Sequence, residues 1–133
     1  MRRAVGFLLI QDNRFLLQHR DEGIFRMPGY WGFFGGGIEE GESHEATLLR
    51  EVKEELGIHP VQYVLSLTQD FYDEYDGKGI KYMYTAPFDV QDQIQLLEGQ
   101  GMDWFRVAEI DDLKMIQHDK EAIVSIMKYI SDD

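Results

Sequence analysis

The chain reads as a layered α/β or α+β domain built on a mixed sheet, and three observations point there. Strand-like segments precede and follow a single strongly helical stretch. A second amphipathic helix closes the chain. No strand–helix alternation of the dinucleotide-binding type runs through it. At 133 residues, 44% of them apolar, the chain suits one domain, residues 1–133, with a real core.

Each element follows from local pattern. Ala4–Ile10 is apolar and β-rich, Gln11-Asp12-Asn13 signals a turn, and Arg14–His19 resumes the apolar run. Two strands joined by a tight turn are expected there. Asp21–Tyr30 carries Gly23, Pro28 and Gly29 and reads as a loop, and Trp31–Phe34 as a short aromatic strand. Ser43 can cap a helix that runs to Leu56 and stops at Gly57. Val61–Tyr72 and Ile80–Val90 form an expected hairpin turning at Asp76-Gly77-Lys78-Gly79, and Met102–Arg106 another strand. In Asp119–Ile130, Ile123, Ile126, Met127 and Ile130 share a helical face suited to packing on a sheet.

Charge and composition exclude several classes. The net charge is −12, from 13 basic and 25 acidic residues, a balance that disfavours nucleic-acid backbone and anionic lipid. A small phosphorylated ligand stays open, because a bound metal reverses the local field. Cysteine is absent, so thiolate zinc and thiol nucleophiles are excluded. His19, His44, His59 and His118 are scattered without ligand-pair spacing. The apolar run after Arg2 and Arg3 is short and lacks a cleavage signature, so no signal peptide is expected. No run of apolar residues is long enough to span a bilayer, and a cytoplasmic location is the default.

The chemistry concentrates in GGGIEEGESHEATLLREVKEELGI, Gly35–Ile58. On a helix of 3.6 residues per turn, Glu51, Glu54 and Glu55 fall within an arc of roughly 100°. Ala46, Leu49, Val52 and Leu56 fall opposite and are expected to be buried. Like charges at this spacing destabilise a helix, and the neighbouring cations are Arg50 and Lys53. A charged solvent-facing helix is one reading. The other is a site for a hard cation, Mg²⁺ or Mn²⁺, which binds a few carboxylates together with substrate phosphates. The twelve-residue acidic loop of an EF-hand is not present.

This segment resembles the Nudix box, G-x5-E-x7-R-E-U-x-E-E-x-G-U with U aliphatic, the signature of Nudix (MutT-like) hydrolases. Gly36, Glu42, Arg50, Glu51, Val52, Glu54, Glu55, Gly57 and Ile58 match it throughout, so the box spans 36–58. "MDWFRVAEI" near the end is similar to a W-F-x-x-x-E segment of MutT-like chains. The resemblance implies an α/β/α sandwich and hydrolysis of a nucleoside diphosphate linked to a moiety X. A nucleoside triphosphate is favoured, giving nucleoside monophosphate and pyrophosphate. Nucleotide-sugar or dinucleoside polyphosphate hydrolysis, and a non-catalytic nucleotide sensor, are the alternatives.

The resemblance also implies roles. Glu54 and Glu55 correspond to metal ligands, and Glu51 to a further ligand or the base acting on water. Arg50 corresponds to the residue that orients Glu51. Gly36 corresponds to a residue whose carbonyl meets metal, and Glu42 to a supporting glutamate. Glu98 is the candidate for a catalytic glutamate from a later loop. For substrate contacts, Arg20 and Arg26 are candidates for phosphates, and Phe34 and Tyr75 for stacking on a base. The motif S-Q-P-W-P-F of NADH-type members is absent, and after Pro60 the next proline is Pro87, which departs from many ADP-ribose hydrolases. The expected assembly is a monomer or homodimer.

Overall fold

A computed structural model of the protein describes residues 1–88 and 93–131. Strands β1 (Arg2–Gln11) and β2 (Arg14–His19) are joined by Asp12 and Asn13, both at positive φ (52° and 63°). That is the mirror-image turn a two-residue hairpin requires, and Asx residues tolerate it best. The two strands pair only at Ile10–Phe15 and Gln11–Arg14. Beyond that point they splay, and residues 31–37 fill the wedge. β3 (Trp31–Gly32) pairs with β2, and β4 (Phe34–Gly37) pairs with β1 from Ala4 to Phe7.

Helix α1 spans His44–Leu56. β5 (Val64–Asp73) and β6 (Gly77–Pro87) then form the expected hairpin. Its turn lies at 74–76, earlier than the sequence suggested. Asp73 Oδ1 accepts the amides of Tyr75 (2.9 Å) and Asp76 (2.8 Å), and Gly77 takes the left-handed conformation at φ 68°. β6 ends at Pro87, short of the expected Val90; Asp89 and Val90 lie outside the described residues. β7 (Gly101–Phe105) pairs with β2, a 3₁₀ turn covers Val107–Asp112, and α2 runs over Gln117–Ser131.

The strand order is β3-β2-β1-β6-β5, with β4 added to β1 and β7 to β2. β1 and β6 are parallel and the other pairs antiparallel, so the sheet is mixed. Period-two alternation divides the core between two faces. Val5, Phe7, Leu9, Leu16, Phe34 and Tyr84 pack with Leu48, Val52 and Leu56 of α1. Leu8, Phe15, Leu17 and Met83 pack on the other side with Ile123, Ile126 and Met127 of α2. The result is an α/β/α sandwich.

The inward face of α1 corrects the sequence reading. Its buried residues are Thr47, Leu48, Val52, Glu55 and Leu56, while Ala46 is exposed and Leu49 only half-buried. The stripe 48, 52, 55, 56 follows the i, i+4, i+7, i+8 rule and takes a glutamate into the packed side. Glu51, Glu54 and Glu55 therefore do not share one solvated arc. Glu55 is 4% exposed, Glu51 half-buried and Glu54 open to solvent.

Candidate functional site

α1 is fixed at both ends by its own sequence. Ser43 Oγ accepts the Ala46 amide (3.1 Å), and Gly57, at φ 72°, donates its amide to the Lys53 carbonyl. This holds residues 50–55 against the glycine strand β4. Gly35 sits at φ 135°, where a Cβ would lie 2.0 Å from the Val5 carbonyl oxygen. A Cβ on Gly36 would lie 2.5 Å from Glu51 Oε1. Only glycine lets backbone and carboxylate approach this closely.

The Gly35 amide donates to Glu55 Oε1 at 2.7 Å. The loop before β7 docks on the end of α1: Gln95 donates to the Leu56 carbonyl (3.0 Å) and Leu97 to the Glu55 carbonyl (2.9 Å). Gln18 Nε2 holds the Glu98 carbonyl at 3.0 Å and lies 3.5 Å from Glu55 Oε2. By these contacts a distant loop delivers Glu98 to the helix. Carboxylate oxygens of Glu51, Glu55 and Glu98 lie within 4.8 Å of one another.

Arg50 lies beside this group. Its Nε and Nη2 donate to the two Glu42 oxygens (2.8 and 2.9 Å) and its Nη1 to Glu51 Oε1 (2.8 Å). Glu42 also accepts from the Glu39 amide (3.0 Å) and the Thr47 hydroxyl (2.9 Å). The Arg50 hydrogen bonds, then the Glu39 amide, bring the Glu42 carboxyl down to about 2, and the same pairing raises the Arg50 guanidinium. Glu54 reaches Arg50 only at 3.7 Å and stands outside the group of three.

Burial works the other way on the inner glutamates. It pushes the Glu51 carboxyl up, against the pull of Arg50. It pushes Glu55 up to about 8; the Gly35 amide resists, and Glu51 and Glu98 add to the rise. Three converging carboxylates with one arginine on a single oxygen are a set of hard donors lacking a counter-charge. Such a set fits a hard divalent cation.

Two cavities meet at this point. One, of about 240 Å³, is lined by Gln18, Arg20, Ile24, Glu51, Glu55 and Glu98. The other, a cleft of about 120 Å³, has Gly35 and Gly36 on its wall and runs toward Trp31, Phe33 and Phe71. Arg20 lines both. Arg2, Arg20, Arg26 and Lys81 all face the cleft, four cations in a chain of net charge −12. Arg26 forks onto Asp76 (3.0 and 2.6 Å), whose Oδ2 is also 3.5 Å from Arg2. Arg20 Nε and Nη2 donate to the Arg26 carbonyl (3.2 and 2.9 Å). Burial and then the nearby Arg26 push the Arg2 and Arg20 guanidinium groups down.

The aromatic candidates are placed differently from expectation. Phe34 is 1% exposed and packs in the core under α1. A residue step in a strand reverses the side-chain direction, so it is Phe33 that lines the cleft. Tyr75 lies in the hairpin turn against Tyr30 (centroids 6.2 Å apart), off the cleft lining. Sequence reasoning missed Arg2, Lys81, His118 and Asp119. Lys81 alone left a trace, as the charged residue inside the apolar run Ile80–Phe88.

Fold and site together define a class: an α/β/α sandwich in which a glycine strand presses on an acidic helix. The family model for the NUDIX domain matches residues 1–125. An RNA pyrophosphohydrolase from Campylobacter jejuni subsp. doylei is 32% identical over 121 residues, covering 80% of this chain and 76% of that protein. Nucleoside triphosphatase NudI of Escherichia coli is 46% identical over 58 residues; the match covers 42% of this chain and 40% of NudI's length. Among solved structures, a MutT NUDIX hydrolase from Burkholderia pseudomallei superposes with TM-score 0.80 at 23% identity, over 94% of this chain and 97% of that one. The chain belongs to the NUDIX family and is a Nudix hydrolase. Among the described residues no helix is long and apolar enough to cross a membrane.

Proposed function

We propose that the protein hydrolyses a nucleoside triphosphate at its pyrophosphate, with Mg²⁺ or Mn²⁺, releasing nucleoside monophosphate and pyrophosphate. The carrying observation is the junction at Gly35 and Arg20, which line both the carboxylate cavity and the arginine-lined cleft. A divalent cation bound there would neutralise charge on the phosphate oxygens and acidify water. Glu51, Glu55 and Glu98 are the residues to hold it, joined by Glu54 and the Gly36 carbonyl. Arg50 keeps Glu51 aimed inward, and Glu42 keeps Arg50 in place. Arg20, reaching both cavities, is placed to meet a phosphate.

Water attacks phosphorus, a new O–P bond forms, and the bridging O–P bond breaks with pyrophosphate leaving. The proton of the water passes to a carboxylate; Glu51 and Glu98 are both on the rim of the group. No protein nucleophile is required. The C. jejuni relative is named for RNA and NudI for nucleoside triphosphates. A net charge of −12 opposes a long polyanion, which favours the free nucleotide. A cytoplasmic setting accords with that substrate.

The test is a Mg²⁺-dependent assay over nucleoside triphosphates, nucleotide sugars, ADP-ribose, dinucleoside polyphosphates and 5′-triphosphorylated RNA. Monophosphate and pyrophosphate from a free triphosphate are expected. Faster turnover of another class contradicts the substrate, and binding without any product contradicts the reaction.

A further inference from the structure

Away from the cleft, one stretch of the chain is free of charge. Leu56–Gln69, LGIHPVQYVLSLTQ, holds no Asp, Glu, Lys or Arg in a chain where these make up 29% of residues. A stretch of average composition and that length would carry about four. Nor is the stretch buried: Val61 is 91% exposed, Val64 62% and Leu65 45%.

Two cavities open along it. An apolar one of about 280 Å³ lies between Tyr63 and Val64, the ends of β1 and β6, and Ile130 of α2. A second, of about 200 Å³, lies between Pro60, Val61 and the same end of β6. Among the described residues no Asp, Glu, Lys or Arg lines either of them. The cleft and the carboxylate cavity, by contrast, are lined by charges of both signs.

The same stretch runs into β5, the outermost strand of the order β3-β2-β1-β6-β5. Among the described strands β5 pairs with β6 alone, so its other edge has main-chain N–H and C=O groups without a strand partner. Sheets usually guard such an edge with charged side chains or bulges. The first half of β5, Val64–Gln69, has a bulge between Leu65 and Leu67 and no charge; Asp70 and Asp73 fall in the second half.

A chain of net charge −12 repels its own copies over most of its surface. Self-association therefore needs a face without charge. A partner drawn by charge is basic, and it meets the acidic surface instead. Here the uncharged stretch, an apolar recess and an unguarded half-edge coincide. We propose that this face is a homodimer interface, in which a second copy related by a two-fold axis seats on the first half of β5 and the cavities beside it. A two-fold brings the two β5 edges together antiparallel, so uncharged halves meet and the acidic halves extend away from each other. Val61 is the projecting apolar group and the recess its counterpart, and each copy supplies both. No residue lining these cavities lines the carboxylate cavity or the cleft, so each protomer keeps a whole site.

Sedimentation equilibrium of the whole protein over micromolar concentrations tests this, and a dimer mass is expected. Val64→Asp and Val64→Lys each put the same charge on both copies, and each is expected to raise the dissociation constant about 100-fold or more. Val124→Asp, at an exposed position of α2, is the control and should leave the constant unchanged. A wild type that stays monomeric overturns the proposal. So does a dimer that Val64→Asp leaves intact or that Val124→Asp weakens equally. Tightening by Val64→Lys overturns it too, because the patch then meets an acidic surface rather than itself. Circular dichroism checks that the variants fold, and Val61→Asp, on a side chain almost wholly in solvent, repeats the test should Val64→Asp not fold.

Discussion

Two groups of charge flank Gly35 and Arg20, one on the floor of the 120 Å³ cleft and one in the 240 Å³ cavity, and they are built on opposite plans. At the floor, Lys81, His118, Asp73 and Asp119 satisfy one another. At the α1 end, Glu51, Glu55 and Glu98 crowd together while Arg50 meets a single oxygen of Glu51. In the first group each charged side chain has a hydrogen-bonded partner within the group. The second carries uncompensated charge, which a buried site tolerates only by protonation or by a bound cation. Burial alone does not mark a functional group; the sign of the imbalance does.

The largest expected effect breaks the balanced group. Lys81→Met leaves the Asp119 carboxylate without its buried cationic partner, and removing one partner of a buried pair costs about 3–5 kcal/mol. Thermal or denaturant unfolding reads it. A loss well under 1 kcal/mol would show that the floor is solvated rather than balanced.

The next experiment applies the same operation to the unbalanced group and expects the opposite sign in stability. Above about pH 8, where metal-free Glu55 is ionised, Glu55→Gln removes a charge that burial and two neighbours disfavour, so the metal-free protein should unfold there at the same temperature or higher. Turnover should nevertheless fall about 100-fold or more, as for removal of a group that stabilises the transition state. A destabilised variant with normal turnover would make Glu55 a structural residue.

A smaller effect is expected at Arg50. Lysine keeps the charge and loses the fork that spans both Glu42 oxygens and Glu51. Turnover should drop about tenfold with unfolding little changed, measured by steady-state kinetics and a melt. An unaltered kcat would remove Arg50 from the orienting role. Smallest of all, Ala46→Ser, on the exposed side of α1, should shift stability by less than about 0.5 kcal/mol.

The same comparison explains what the sequence could disclose. The strands, both helices and the capping of α1 were legible because period and caps are local signals. The box residues were legible because one helix and one loop supply most of them. Glu98 was nominated by resemblance, but its delivery by the Gln18, Gln95 and Leu97 contacts is tertiary. Ranking residues by polarity put Ala46 inside and Glu55 outside; the packed helix does the reverse, with Glu55 held inward by the Gly35 amide. Of the floor, Lys81 alone left a trace, as a charged residue in an apolar run. Asp73, Lys81 and His118 come from two strands and a helix start, and nothing in their spacing joins them. Phe34 was mistaken for Phe33 because a strand's register is set by its neighbours.

The pH dependence of metal binding tests the central claim most directly. Glu55 titrates at about 8 without metal, above the ordinary carboxylate value. Its neutral form favours the folded metal-free protein below that ordinary value, and this contribution is lost as pH rises through about 8. A divalent cation needs the ionised form, so near pH 7 binding should expel most of a proton from Glu55. Calorimetry of Mn²⁺ in buffers of different ionisation enthalpy counts that proton. The account predicts release of most of a proton around pH 7, declining above about pH 8 and sharply reduced in Glu55→Gln. Mn²⁺ binding with no proton release, or equal release in Glu55→Gln, would contradict it.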